Sequence, residues 1–121
     1  HWLFSQLVKV VHQLNNEYYR FNINQLDEII QYACYDVGSE YNWHIDYTNC
    51  PTPARKFTVV VQLSDPSEYE GGEFELFPDV QVPKERGLVH IFPPYLYHRV
   101  KTVQKGSRKV LITWVWGPPF V

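Results

Sequence analysis

The sequence predicts a mainly β fold, a jelly roll or sandwich closed from two sheets, preceded by one amphipathic helix. Apolar residues recur with a helical period near the N-terminus. From residue 28 onward the chain instead consists of about eight or nine short runs of strand-forming residues, each bounded by Gly, Pro or a polar cluster. Nine Pro and six Gly are spread along the chain, which suits many short strands and turns.

The helix is predicted over residues 2–15, because apolar side chains there recur every three to four positions. The residues that show this period are Leu3, Phe4, Leu7, Val8, Val11 and Leu14. Asn15 and Asn16 are predicted to end the helix. The segment YYRFNI that follows is rich in strand formers, so we expect the chain to turn extended from about residue 18.

The strands are predicted in the segments EIIQYACYDV, EYNWHIDY, RKFTVVVQLS, EFELFP, VQVP, GLVHIFP, YHRVKTV and RKVLITWVWG. Alternation along a strand assigns faces. In the third segment Thr58, Val60 and Gln62 share one face, which we expect to line a cavity, and Phe57, Val59, Val61 and Leu63 share the packed face. In the last segment Arg108 shares a face with Val110, Ile112, Trp114 and Trp116.

At 121 residues the chain is expected to form a single domain, with the helix at 2–15 and a jelly-roll core over about residues 18–117. It contains no methionine, so we expect some N-terminal structure to be missing. A formal charge of −2 and a pI near 6.2 argue against a nucleic-acid or membrane partner. Cys34 and Cys50 have neither metal-binding nor redox spacing, which favours free thiols and a cytoplasmic location, in the host cell for a viral protein. We expect a monomer.

Three side chains are candidate ligands of a metal ion. His44 and Asp46 stand two residues apart in a predicted strand and therefore point to the same face. Such a pair alone also fits a surface His–Asp pair. His98 follows the rigid Pro93–Pro94 turn and adds a second imidazole. Two His and one carboxylate, with positions left open, form the facial triad that non-haem Fe(II) prefers, and the set has no thiolate of the kind common in structural zinc sites.

Arg108 lies ten residues beyond His98, inside the last long strand. An Fe(II) oxygenase of this kind needs an electron-donating co-substrate. A dicarboxylate such as 2-oxoglutarate would chelate the metal at one end and require a cation for its far carboxylate. Guanidinium offers a bidentate fork for that group. The alternative for Arg108 is a residue at the strand edge whose head reaches solvent.

Five segments together resemble the Fe(II)- and 2-oxoglutarate-dependent dioxygenases, most closely the prolyl 4-hydroxylase branch with its bacterial and viral members. They are YNWHID, RKFTVVVQLSD, YEGGEFELF, GLVHIFPPYLYHRV and GSRKVLITWVWG, and the resemblance extends over about residues 18–117. It implies a double-stranded β-helix, which is a jelly roll. It also implies that His44, Asp46 and His98 bind iron and that Arg108 pairs with the far carboxylate of 2-oxoglutarate.

The resemblance implies roles for further residues as well. Tyr35 matches a tyrosine that hydrogen-bonds the co-substrate, Thr58 a cavity-lining threonine, and Trp114 a wall near the iron. Trp43, Gln62 and Tyr97 are further candidates for the cavity or the substrate site. There are three departures. Gln62 stands where some animal relatives have a tyrosine that supports the far carboxylate, and Arg108 stands where collagen-type enzymes usually have lysine. We also expect the chain to be short of the family's N-terminal helices and strands. The loop at 47–54 is a candidate specificity loop, and His90 is expected to be structural.

The function implied is hydroxylation of a prolyl residue in a protein or peptide, with succinate and CO₂ as co-products. The cofactors implied are Fe(II), 2-oxoglutarate and O₂, with ascorbate as a candidate reductant. The alternatives are an oxygenase of the same superfamily acting on a small molecule or nucleobase, and a jelly-roll binding module without catalysis. The second arginine usual in nucleobase demethylases would fall at position 114, which is Trp.

Overall fold

The computed structural model describes residues 2–27, 29–46, 54–118 and 120. Within them lie helix α1 (Trp2–Leu14) and the strands of the domain. The strands are β1 (Gln25–Leu26), β2 (Gln31–Tyr35), β3 (Tyr41–His44), β4 (Ala54–Gln62), β5 (Tyr69–Gly71), β6 (Phe74–Leu76), β7 (Val80–Gln81), β8 (Val89–Phe92), β9 (His98–Val100), β10 (Val103–Gly106) and β11 (Arg108–Gly117). The predicted count of eight or nine strands is too low, because β1 and β5 are too short to show alternation and the segment YHRVKTV contributes to two strands, β9 and β10.

Helix α1 is confirmed close to its predicted bounds. Its apolar stripe buries Leu7 and Val11 against the outer face of the larger sheet. Phe57 and Val59 of β4 are on the other side of this contact and have no exposed surface. Burying side chains of this size contributes roughly 1.5–3 kcal/mol each, so this contact closes one side of the domain.

The chain beyond α1 differs from the prediction. The α-helix ends at Leu14, but residues Asn15–Tyr19 continue as a π-helical turn and Arg20 takes a left-handed conformation, with φ of 54°. The predicted extended segment from residue 18 is therefore wrong. The buried Asn15 side chain explains the difference, because its amide donates to the Phe21 carbonyl and its oxygen accepts from the Phe21 N–H, which holds residues 15–21 in a closed loop.

Two antiparallel sheets form the body of the fold. The larger has the order β1-β11-β4-β8, and β2 pairs with the same long strand β11. The smaller has the order β3-β9-β6-β7, and a two-stranded ribbon joins β5 to β10. Apart from the consecutive strands β6 and β7, neighbours in each sheet are distant in sequence, which is the connectivity of a jelly roll. The predicted fold class is confirmed.

The alternation predicted for β4 is observed. Phe57, Val59 and Val61 belong to the apolar cluster under α1, whereas Val60 belongs to a second cluster between the two sheets. Phe74 and Val100 of the smaller sheet complete that second cluster from the opposite side. The two sheets therefore enclose a space whose walls come from the inward faces of β4, β11, β6 and β9.

None of the helices in the described part of the chain is long and apolar enough to cross a bilayer. Cys34 is a free, exposed thiol, and Cys50 lies outside the described residues.

Candidate metal centre and its cavity

Three donor atoms converge at one end of the smaller sheet. Strands β3 and β9 pair with His44 directly opposite His98. Asp46 Oδ1 lies 3.6 Å from His44 Nε2 and 3.4 Å from His98 Nε2. The three ligand atoms all lie within 4.8 Å of one another, so a single ion could contact all of them.

His44 and Asp46 point to the same place for a different reason from the one predicted, which was alternation along a single strand. Strand β3 ends at His44, so Asp46 is not on a strand, and the prediction of a strand through residue 47 is wrong over the described part of that segment. The Asp46 N–H instead donates to the Pro94 carbonyl at 2.8 Å. This bond ties the carboxylate to the Pro-Pro turn that precedes His98.

Backbone carbonyls set the orientation of both imidazole rings. His44 Nδ1 lies 2.7 Å from the Asn42 carbonyl, and His98 Nδ1 lies 3.0 Å from the Leu96 carbonyl. Because a carbonyl oxygen only accepts, each Nδ1 carries the hydrogen and each Nε2 keeps a lone pair. This arrangement is typical of metal-ligating histidines. Burial also lowers the pKa of His44, which favours the neutral ring that a metal requires.

The second oxygen of Asp46 is held by the larger sheet. Thr58 Oγ1 donates to Oδ2 at 2.7 Å, and Trp114 Nε1 donates to the same oxygen at 3.4 Å. Burial would raise the pKa of Asp46, but the neighbouring His98 ring and the hydrogen bond from Thr58 outweigh it and the pKa is lowered. The carboxylate is therefore ionised at neutral pH, with Oδ2 occupied and Oδ1 turned towards the imidazoles. Two neutral imidazole nitrogens and one carboxylate oxygen on one side of an open space fit a divalent transition metal.

This cluster lines a cavity of about 310 Å³ between the two sheets. Arg108, at the start of β11, also lines it and is only 2% exposed, so the strand-edge alternative for this residue is excluded. Its guanidinium carbon lies 5.3 Å from the centre of the Tyr35 ring. No carboxylate of the described residues forms an ion pair with it. Burial lowers the pKa of Arg108, as expected for a cation without an anionic partner.

The remaining predicted site residues fall into two groups. Tyr35, Thr58 and Trp114 line the cavity, and Thr58 contacts Asp46 there. Trp43, Gln62 and Tyr97 are not among the residues that line it. Gln62 is buried behind the wall, where its amide donates to the Tyr69 hydroxyl at 2.9 Å and to the Ser64 carbonyl at 3.1 Å.

Trp43 and Tyr97 lie on the other face of the smaller sheet. Each packs edge-on against the ring of Phe77, at 5.9 Å and 6.3 Å between ring centres. Alternation explains their position, because each immediately precedes a ligand histidine and points the opposite way. In the candidate specificity loop, residues 47–53 lie outside the described residues, and Ala54 is the first residue of β4.

Sequence reasoning missed Arg55. Its guanidinium carbon lies 3.9 Å from the centre of the Trp114 ring, and its Nη1 donates to the Asp46 carbonyl at 3.3 Å. Strict alternation from Thr58 puts Arg55 on the packed face. An irregularity in the pairing of β4 with β11, between Val115 and Trp116, turns it into the cavity instead. A bulge of this kind leaves no signal in the sequence of β4.

The sequence profile of the 2OG-Fe(II) oxygenase superfamily matches residues 30–116. The chain belongs to this superfamily. One curated relative, a PKHD-type hydroxylase of Prochlorococcus marinus (strain MIT 9211), is 34% identical over 83 residues, which are 65% of this chain and 37% of the relative. The chain spans about two fifths of the length of the curated relatives it matches.

Solved structures of other proteins share the fold. The viral collagen prolyl hydroxylase of Paramecium Bursaria Chlorella virus-1, in its 2OG complex, superimposes with a TM-score of 0.76 at 24% identity, over 98% of this chain and 75% of that one. A prolyl hydroxylase from Trichoplax adhaerens, in complex with a hypoxia inducible factor peptide fragment, superimposes with a TM-score of 0.79 at 22% identity, over 96% of this chain and 55% of that one. These similarities confirm the double-stranded β-helix predicted from the sequence.

Proposed function

We propose that this superfamily member is an Fe(II)- and 2-oxoglutarate-dependent hydroxylase that acts on prolyl residues in a protein or peptide and releases succinate and CO₂. One observation carries the proposal: a two-His-one-carboxylate cluster shares a single cavity with a buried arginine that has no carboxylate partner among the described residues. The first is suited to a metal and the second to an anion. A co-substrate that contains both a chelating group and a second carboxylate satisfies both.

His44, Asp46 and His98 would hold the iron. Bound Fe(II) would supply the redox chemistry that couples reduction of O₂ and oxidative decarboxylation of 2-oxoglutarate to the hydroxylation of a C–H bond. The protein prepares this site in advance, because the Asn42 and Leu96 carbonyls fix the imidazole tautomers. The hydrogen bond from Thr58 keeps the carboxylate ionised and correctly turned.

Arg108 would bind the far carboxylate of 2-oxoglutarate. Its side chain is almost completely buried, so an anion that enters the cavity would gain a charge-assisted, bidentate partner with little competition from water. The Tyr35 ring next to it would line the path of the co-substrate. The apolar walls at Val60, Val110 and Ile112 would exclude water from the carbon chain between the two polar ends.

The aromatic lining of the cavity supports a prolyl substrate. The Arg55 guanidinium covers the Trp114 ring, and Trp114 Nε1 makes a weak hydrogen bond to Asp46. A pyrrolidine ring packs well on such an aromatic surface. Two proteins of the same fold are a collagen prolyl hydroxylase and a prolyl hydroxylase with a bound peptide fragment. A net charge of −2 gives no support to a phosphate-backbone partner. We propose a monomer that binds an extended peptide, which has a low ordering cost.

The test combines co-substrate binding with product analysis. Anaerobic calorimetry should show 2-oxoglutarate binding that requires Fe(II). Aerobic incubation with ascorbate and a library of Pro-containing peptides should give succinate and peptides heavier by one oxygen atom at proline, located by tandem mass spectrometry. Free proline and methylated oligonucleotides are incubated in parallel.

Single alanine substitutions of His44, Asp46 and His98 should each abolish succinate formation. The matched control is His12→Ala, because His12 is an exposed histidine on α1. Failure of the wild-type chain to bind 2-oxoglutarate with Fe(II) would contradict the oxygenase assignment. Turnover of only the oligonucleotide or only free proline would contradict the peptide substrate and leave the iron and 2-oxoglutarate assignments in place.

A further inference from the structure

The two imidazoles of the candidate metal centre are packed to different degrees. The His98 side chain is 5% exposed, and its ring packs against Phe74 and Phe92, at 5.7 Å and 4.8 Å between ring centres. The His44 side chain is 22% exposed. His44 is therefore the ligand that water reaches more easily.

One aromatic ring covers a face of His44. The centre of the Tyr41 ring lies 3.7 Å from the centre of the imidazole, and the two planes differ by 24°, so the rings are stacked. Tyr41 also lines the cavity and is 51% exposed. It belongs to neither apolar cluster of the described residues. Its main packing contact is therefore with a candidate metal ligand and not with the core.

An irregularity in the smaller sheet makes this contact possible. Residues three apart on a regular strand point to opposite faces. Tyr41 pairs with Val100 and His44 pairs with His98, so β3 has one more residue than β9 between the two pairs. Val100 and His98 are two apart and share a face, and their partners on β3 therefore share it as well. The extra residue turns Tyr41 towards the cavity instead of the outer face of the sheet.

Two contacts together fix the orientation of the His44 ring. Nδ1 donates to the Asn42 carbonyl at 2.7 Å, which holds one edge of the imidazole. A single hydrogen bond at one edge allows the ring to tilt about that bond, and the stacked Tyr41 ring opposes the tilt. Nε2 thereby keeps its direction towards Asp46 Oδ1, 3.6 Å away.

We propose that Tyr41 is a positioning residue that holds the plane of the His44 imidazole and shields it from water, and that it thereby slows the release of the bound metal ion. This inference rests on the proposed function, in which His44 is an iron ligand. Release from the more exposed side requires the His44 ring to turn and water to reach Nε2. Both movements require the stack of Tyr41 on His44 to open. A tyrosine that only stabilised the fold would have no effect on the release rate.

The experiment measures metal release without co-substrate, so that its result does not depend on Arg108. The Fe(II)-loaded chain is mixed anaerobically with an excess of ferrozine, and the absorbance of the Fe(II)–ferrozine complex is followed by stopped flow. The rate that does not change with ferrozine concentration is the release rate. Tyr41→Leu and Tyr41→Met remove the aromatic ring, and Tyr41→Phe keeps it. Tyr32→Leu is the matched control, because Tyr32 is an exposed tyrosine on β2.

Tyr41→Leu and Tyr41→Met should release Fe(II) roughly 2- to 10-fold faster than the wild type, which is the range expected for the loss of one aromatic contact. Tyr41→Phe should release it at the wild-type rate, because the ring and not the hydroxyl makes the stack. Tyr32→Leu should also leave the rate unchanged. Urea denaturation should show that the Leu and Met variants stay folded, since Tyr41 is half exposed.

Release at the wild-type rate from both Tyr41→Leu and Tyr41→Met would overturn the inference. Equally fast release from Tyr41→Phe would also overturn it, because the effect would then belong to the hydroxyl. The same acceleration in Tyr32→Leu would show a general effect of exposed tyrosines and overturn it as well. A wild-type chain that binds no Fe(II) contradicts the metal centre of the proposed function, and the role of Tyr41 with it.

Discussion

Replacing Thr58 by valine tests whether the larger sheet controls metal affinity in the smaller one. Thr58 is almost completely buried, and its hydroxyl donates to Asp46 Oδ2 at 2.7 Å. Valine has nearly the same shape without the hydroxyl. The substitution therefore removes one hydrogen bond from the carboxylate and leaves the pairing of this position with Phe92 on β8 in place.

The expected loss follows from the strength of that bond. A hydrogen bond to a charged group contributes about 1.5–3 kcal/mol, which corresponds to about 10- to 150-fold in affinity. Trp114 Nε1 still donates to the same oxygen, but its 3.4 Å separation makes that bond weak. Groups that orient metal ligands typically contribute about 10- to 100-fold to metal affinity. We therefore expect Thr58→Val to bind a divalent metal roughly 10- to 30-fold more weakly.

The measurement is anaerobic titration calorimetry with Fe(II), repeated with redox-stable Mn(II). The control is Thr113→Val, because Thr113 is an equally buried threonine on β11 whose hydroxyl donates to the backbone carbonyl of Asp27 at 3.1 Å. It should lose about 1 kcal/mol of stability and none of its metal affinity. Metal affinity in Thr58→Val within threefold of wild type would refute the reasoning, and so would an equal loss in Thr113→Val.

Three further predictions concern groups away from the metal ligands. Arg108→Leu should lower the affinity for 2-oxoglutarate by at least 100-fold, since a buried anion without its partner costs roughly 3–5 kcal/mol. Arg108→Lys should have an affinity between those of Arg108→Leu and the wild type. Calorimetry measures both variants. Burial lowers the pKa of His90 to about 4 from 6.5. Because the unfolded state takes up the proton first, the free energy of unfolding measured with urea should fall by about 3 kcal/mol as the pH drops from 6.5 to 4. His90→Phe should remove this pH dependence, and the control His12→Gln should keep it. Gly106→Ala should lower the free energy of unfolding by several kcal/mol, since the new Cβ would collide with the Glu68 carbonyl. Gly38→Ala is the control: the space around its Cβ is open, so it should lower the free energy of unfolding by only about 1–2 kcal/mol through backbone strain.

Alternation in the sequence predicted the cavity wall well where strands are long and regularly paired. In β4 the inward position of Thr58 and Val60 and the outward position of Phe57 and Val59 follow directly from a period of two. The same period places Arg108 and Trp114 on one face of β11. Both strands are central in the larger sheet, so burial on both sides enforces one register.

The contribution of Arg55 could not be predicted in the same way. Arg55 enters the cavity because the pairing of β4 with β11 is irregular at one point. Alternation describes one strand at a time, whereas this irregularity is a property of the pair of strands.

The convergence of the candidate metal ligands depends on register across the smaller sheet. His44 and His98 meet because β3 and β9 pair at those residues. A slip of one residue in β9 would turn His98 to the outer face and Arg99 inward. The apolar cluster between the sheets opposes this slip. Val100 lies on the same strand as His98, is only 4% exposed and pairs with Phe74 of β6. Moving His98 out would move Val100 out as well, at a cost of roughly 1.5–3 kcal/mol for that side chain alone, and would bury a charged arginine in its place. The hydrophobic packing of β9 therefore also fixes the geometry of the metal site.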